Sequence, residues 1–212
     1  MATLSVVQRK SLARALDTYR KHLDEGLEYL AGRGIDQAAA LSAGLGVVRD
    51  PLPGHEYLVG RLAIPYLTPA GPVNYNFRCM QDHSCKEVHP HQGKYMMWHG
   101  LPVTLYNVEA LHVAGQSIAA AEGEIDALSS TLAGIPCVGI SGATKWQDHW
   151  KNVFEDFSSV YAWQEGDDAG KKFGDRMVAE VNAIRVVLPA REDVNSIWVA
   201  SGTEALRARI RK

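Results

Sequence analysis

Residues 118–126, Ile-Ala-Ala-Ala-Glu-Gly-Glu-Ile-Asp, carry an apolar run straight into Glu122, Gly123, Glu124 and Asp126. Four apolar residues, an acid, a glycine and then helical spacing read as strand, tight turn and helix. Glu122 then stands at the strand tip and Asp126 in the first helical turn. The same order recurs downstream. Strands predicted at Ile118–Ala121, Cys137–Ile140, Val160–Trp163 and Arg185–Leu188 alternate with helices near Ile125–Ala133, Gln147–Phe154, Ala169–Val181, Ser196–Ala200 and Thr203–Ile210. Such alternation predicts an α/β fold with a mostly parallel sheet flanked by helices. The working residues of such sheets lie at the carboxyl ends of the strands.

Two further strand ends are acidic. One reads Glu165-Gly166-Asp167-Asp168-Ala169-Gly170 and the other Leu188-Pro189-Ala190-Arg191-Glu192-Asp193. Carboxylates gathered at one sheet edge repel unless a cation or a proton compensates. Magnesium suits such an edge, with manganese as its substitute, because it prefers hard oxygen ligands and takes a few carboxylates plus substrate phosphate. The carboxylates gathered there are Glu122, Asp126, Glu165 and Asp167, with Glu192 and Asp193 after the fourth strand. A lone acid at a helix start has a simpler explanation in the helix dipole, which covers Asp168 and Asp175.

Upstream, the pattern is mixed. An amphipathic helix is predicted from Leu4 to Leu23, then short helices at Leu27–Ala31 and, capped by Asp36, at Gln37–Ser42. A short strand follows at Leu45–Val48. Arg61–Leu67 and Val73–Met80, joined by Pro69-Ala70-Gly71, read as a hairpin. Residues 81–100 read as a polar, His-rich loop. The predicted organisation is therefore a smaller α+β domain over 1–114 and the parallel α/β domain over 115–212.

The 212 residues carry a net charge of −2 with 46% hydrophobic content, ordinary for a globular chain and far from a basic nucleic-acid coat. Residues 1–114 hold eleven basic and ten acidic side chains, and residues 115–212 hold eleven and fourteen. The acidic excess falls where a cation site needs it. No apolar run can span a bilayer and no signal-peptide core is present, so no membrane association and a cytoplasmic location are expected. Cys79, Cys85 and Cys137 are too few for a disulfide framework. Cys79, His83, Cys85, His89, His91 and His99 share one loop, but C-x3-H and H-x-C are not zinc-ribbon spacings, which argues against structural zinc.

With these residues in view, Glu122-Gly-Glu-Ile-Asp126 resembles the E-G-x-x-D motif of Toprim (topoisomerase–primase) domains. Glu165-Gly-Asp167-Asp168-Ala-Gly170 resembles their D-x-D motif in its bacterial primase form, and Leu188 to Asp193 the segment carrying a further Asp. Glu165 departs from the family, which has Asp there. The resemblance extends upstream. Tyr29-Leu-Ala-Gly-Arg-Gly-Ile35, Arg61-Leu-Ala-Ile-Pro65, Phe77-Arg78, Gly93-Lys94-Tyr95 and Leu105-Tyr106-Asn107 are similar in order and spacing to motifs of the primase RNA-polymerase core. The match covers residues 27 to 202.

The resemblance implies a phage-type DNA primase core, a Toprim domain preceded by a smaller primase-like α+β domain, that makes short RNA primers on single-stranded DNA by metal-dependent nucleotidyl transfer. It implies Glu122, Asp126, Glu165, Asp167 and Asp193 as the metal set, catalytic roles for Glu122, Lys94 and Arg78, and nucleotide or nucleic-acid contacts by Arg61, Arg78, Lys94 and Trp98, since arginine binds phosphate oxygens bidentately and a tryptophan can stack on a base. The partners implied are single-stranded DNA template, ribonucleoside triphosphates and a separate helicase or zinc-binding template-recognition protein, because neither a zinc ribbon nor a P-loop is seen in the sequence. A Toprim nuclease and a non-catalytic nucleic-acid-binding replication accessory subunit are the alternatives.

Overall fold

A computed structural model of the chain describes residues 3–88, 92–141 and 143–211. These form two compact units, Met1–Thr104 and Leu105–Lys212.

The first unit begins with α1 (Val6–Tyr19), which opens on a reciprocal cap: Ser5 Oγ accepts from Gln8 N, and Gln8 Oε1 accepts from Ser5 N. α1 buries Leu12, Ala15 and Tyr19 in a core shared with Tyr75 and Phe77. The helix predicted to reach Leu23 stops at Tyr19 and tightens into a 3-10 stretch, Arg20–Gly26, where His22 leaves helical geometry. Then come α2 (Leu27–Ala31), α3 (Gln37–Ser42) and β1 (Gly46–Val47). Asp36 caps α3 as expected, accepting from Ala39 N at 2.7 Å. Gly46 lies so close to the Tyr19 carbonyl that a Cβ there would overlap it.

β2 (Arg61–Thr68) and β3 (Gly71–Cys79) form the expected antiparallel hairpin, with an irregularity between Tyr66 and Leu67. The segment read as a loop contains α4 (Cys85–Val88) and β4 (Tyr95–Met97). β4 pairs with Asn76, Phe77 and Arg78 of β3, completing an antiparallel sheet in the order β1-β2-β3-β4. Three residues are too few for alternation to mark a strand, and the ladder is supplied by β3, which is distant in sequence.

The second unit runs α5 (Ala110–Val113), β5 (Ser117–Ala121), α6 (Glu124–Leu132), β6 (Cys137–Gly139), a 3-10 helix (Asp148–Phe154), β7 (Ser159–Gln164), α7 (Asp168–Val181), β8 (Ile184–Val187) and α8 (Val194–Ile210). Its strands are all parallel, in the order β6-β5-β7-β8. Residues 105–114, read from sequence as part of the first domain, belong to this unit. Tyr106 bridges to Gly139, and Asn107 Nδ2 donates to Cys137 O and Thr131 Oγ1. Trp163 is core, its Nε1 donating to Ser130 Oγ. The last two helices fall as expected on either side of Gly202, whose left-handed φ of 74° breaks α8 into two helical segments.

Candidate active site

From β5 the chain goes first to β6 on one side of the sheet and later to β7 on the other. The strand order reverses between β5 and β7, and in open parallel sheets the crevice outside the strand ends at such a reversal is where ligands bind. Glu122 follows β5 directly, Glu165 follows β7 directly, and Asp193 ends the turn after β8.

Three helix starts support this edge. Asp126 lies in the first turn of α6 and accepts from Asn195 N, in the first turn of α8, at 3.0 Å. Asp167 caps α7, its Oδ1 accepting from Gly170 N at 2.7 Å. Asp193 caps α8, accepting from Ser196 N at 2.6 Å while Ser196 Oγ accepts from Asp193 N. Ser196 Oγ also donates to Glu192. The positive ends of three helices thus favour negative charge here. Two glycines permit the packing. A Cβ on Gly170 would overlap the Glu165 carbonyl, and one on Gly123 would come within 2.7 Å of Asp126 Oδ2. Gly123 has φ −109°, so it is needed for that close approach and not for a left-handed turn.

The electrostatics tie all five expected metal residues together. Burial first, and then the charges of Asp126, Asp193, Asp167 and Glu122, push the Glu165 carboxyl up to about 7. Burial and the nearby Asp167 also raise Glu122. Glu165, Gly166, Asp167, Arg191, Glu192 and Asp193 line a cleft of about 140 Å³. That is room for an ion and some of its waters, well short of the several hundred Å³ a nucleotide-sized ligand fills. Among the described residues, no three of these carboxylates bring one oxygen each within 4.8 Å of one another. A hard cation that keeps several waters and takes few carboxylates fits this spread donor set, whereas an all-protein cage does not.

Two residues were not singled out from sequence. Arg191 lines the cleft and holds a left-handed backbone, φ 67°, which is unfavourable for a side chain with a Cβ. Glu124 is buried, and its Oε1 accepts from Ser141 Oγ at 2.9 Å. Both sit inside quoted motifs, yet only the tertiary packing separates their surroundings from those of Glu122 and Asp193.

The expected basic residues lie in the first unit and behave differently from one another. Arg61 is only 4% exposed. Its guanidinium donates to Gly93 O at 3.0 Å, Lys94 O at 3.3 Å, Phe77 O at 3.5 Å and Gln92 Oε1 at 3.1 Å. Expected as a nucleic-acid contact, it is instead committed to the backbone that carries Lys94. Arg78 is 5% exposed, with its guanidinium carbon 4.7 Å from the Tyr95 ring and 5.7 Å from the Tyr29 ring. Its Nε and the Tyr29 hydroxyl are buried without a hydrogen-bond partner among the described residues. Lys94 is exposed at the start of β4. Trp98, expected to stack on a base, packs on the core: its ring lies 4.1 Å from His55 and 5.8 Å from Tyr75. Cys79, His83 and Cys85 come together, whereas His89 and His91 lie outside the described residues. No helix among the described residues is long and apolar enough to cross a membrane.

Residues 120–198 match the Toprim-like family. The chain is 34% identical over 152 residues to the Gene 57 protein of Mycobacterium phage D29, covering 71% of this chain and 98% of that protein. It is similar in structure to the RNA polymerase domain of Mycobacterium tuberculosis primase DnaG, with a TM-score of 0.78 and 19% identity over 98% of this chain and 84% of that one. A DnaG primase catalytic domain solved bound to single-stranded DNA gives a TM-score of 0.71 and 19% identity over 98% and 82%. The chain therefore belongs to the family of the phage D29 Gene 57 protein, Toprim-like over residues 120–198 and with the fold of the primase RNA polymerase domain.

Proposed function

We propose that this chain is a phage-type primase core that joins ribonucleotides into short RNA primers on single-stranded DNA. The observation that carries the proposal is the acidic edge at the β5–β7 reversal, where Glu165 lies within electrostatic reach of Glu122, Asp126, Asp167 and Asp193. Magnesium, or manganese in its place, would be held by a few of these carboxylates directly and by the others through its waters, and when bound it would supply charge stabilisation to the attacking and leaving oxygens of phosphoryl transfer.

The chain's own residues divide the remaining work. The 3′-hydroxyl oxygen of the growing primer attacks the α-phosphorus of the incoming ribonucleotide, and pyrophosphate leaves. Glu122 accepts the hydroxyl proton on its carboxylate, a role supported by the raised proton affinity that burial gives it. Arg78 and Lys94 bind phosphate of the nucleotide or template. The buried, unpartnered Nε of Arg78 supports an anionic ligand there, since a buried guanidinium donor without a partner is costly. Arg61 acts as a positioning residue through its hold on the Lys94 carbonyl. Single-stranded DNA and ribonucleoside triphosphates are the proposed substrates, with a separate helicase or zinc-binding template-recognition protein as partner.

Incubation with single-stranded DNA, labelled ribonucleotides and magnesium tests the reading, with extension and degradation read on the same gel. Extension products are expected. Degradation without extension overturns the proposal in favour of a nuclease. DNA binding with neither product, even with replication partners added, makes the chain an accessory subunit.

A further inference from the structure

A second set of ligating side chains lies in the first unit. Cys79 ends β3, His83 lies in the connection that follows, and Cys85 opens α4. One ligand atom from each falls within 4.8 Å of the others, the only such gathering of three His, Cys, Asp or Glu side chains among the described residues. All three are brought together by the reversal of the chain after β3, which linear motif spacing does not register.

The distances suit a shared ion. Zinc–sulfur and zinc–nitrogen bonds of about 2.3 and 2.0–2.1 Å, opened to a tetrahedral angle, put sulfur and nitrogen about 3.6 Å apart. Cys79 Sγ and His83 Nε2 stand 3.7 Å apart. Neither Cys79 nor Cys85 is in a disulfide. Two soft thiolates and an imidazole select zinc over magnesium, as carboxylates select the reverse. From Cys79, His83 and Cys85 we infer a zinc site, distinct in chemistry from the acidic edge and with a fourth tetrahedral position left to water. Binding takes a neutral His83 and deprotonates Cys79 and Cys85, so two protons are released and the site is formally neutral.

The position of the site gives it a task. Cys79 N donates to Lys94 O at 2.8 Å, and Arg61 holds the same carbonyl together with that of Gly93. Zinc would staple the connection between β3 and β4 at the point where it carries Lys94. The inference rests on distances inside the first unit and stands whether or not the chain makes primers.

Two measurements on the whole wild-type chain test it. Protein purified under reducing conditions without chelator is dialysed and its metal content determined. One zinc per chain is expected, retained in excess magnesium. Replacement by cobalt(II) should give an intense thiolate-to-cobalt charge-transfer band, which oxygen ligands at the acidic edge cannot produce. Cys79→Ser and Cys85→Ser should each lower that band by about half or abolish it, as each removes one of two thiolates. Cys137→Ser should leave it unchanged. Wild-type protein that holds no zinc after dialysis against it, a cobalt spectrum without the thiolate band, or a Cys79–Cys85 disulfide recovered in place of metal overturns the site. So do folded Cys79→Ser and Cys85→Ser chains that keep the full band. The wild-type measurements stand even if a variant fails to fold.

Discussion

The two units treat charge in opposite ways. The first, with eleven basic and nine acidic residues, buries its two key arginines, Arg61 against backbone carbonyls and Arg78 between tyrosine rings. The second, with eleven basic and fifteen acidic residues, gathers acids at one sheet edge and holds them with helix starts. A buried guanidinium can spread its charge over several acceptors and ring faces at fixed geometry. Clustered carboxylates have no such internal remedy, and burial together with the neighbouring charges raises the proton affinity of Glu165. The first unit thus fixes its two buried cations against carbonyls and rings, whereas the second gathers acids whose mutual repulsion a bound cation would relieve.

The sharpest break in this comparison is Asp167→Asn. Asparagine caps a helix about as well as aspartate, so the bond from Gly170 N survives and stability should change by less than about 1 kcal/mol. The charge is lost, and primer synthesis should fall on the order of 10³-fold. Equal turnover by mutant and wild type at limiting magnesium would reduce Asp167 to a cap.

Lys94→Ala and Arg61→Ala should separate contact from support within the cationic unit. Lys94 is exposed, and its carbonyl accepts from Cys79 N and from Arg61. Its truncation should cost about 2–3 kcal/mol in transition-state stabilisation, leaving magnesium binding and the unfolding transition unchanged. Arg61→Ala removes a buried guanidinium with its bonds to Phe77, Gln92, Gly93 and Lys94 and should destabilise the chain by about 2–3 kcal/mol, read as a shifted urea midpoint. If Lys94→Ala primes normally while Glu122→Gln is inactive, the first unit is not the basic floor of the reaction.

The difference in charge handling also explains what was legible in the sequence. Glu122, Asp126, Glu165, Asp167 and Asp193 each stand at a strand end or helix start, and local spacing reveals such positions. Their convergence follows from the parallel order of β5, β7 and β8, which alternation of elements already implies. Arg61 gave no local sign of burial, because its acceptors lie 16 to 33 residues away. Trp98 looked available for stacking until β4 brought it against His55 and Tyr75. The Cys79, His83 and Cys85 side chains meet through a reversal that no standard spacing encodes. The boundary of the second unit moved upstream because the side chain of Asn107 hydrogen-bonds across to β6, a contact invisible to periodicity.

The smallest expected effect concerns Glu165 and pH. Its carboxyl is raised to about 7, chiefly by burial and then by the four neighbouring acids. A carboxylate whose folded-state pKa is raised binds its proton more tightly in the folded chain than in the unfolded one. Its stabilising contribution is therefore fully present below the ordinary carboxylate range and is lost as pH rises through about 7. Without metal, the melting temperature should fall slightly across that window, and magnesium should restore it at the alkaline end. The ion competes with the proton for the same oxygens, so its affinity should rise by at most about tenfold between about pH 6 and pH 8, the change in the ionised fraction of one such group. Calorimetric titration with magnesium across that range, on wild type and Glu165→Gln, measures the effect. The variant should bind magnesium more weakly and with a flatter pH dependence. If its pH dependence matches wild type, the proton that magnesium displaces belongs to another group, and Glu122, also raised by burial and by Asp167, becomes the residue to replace next.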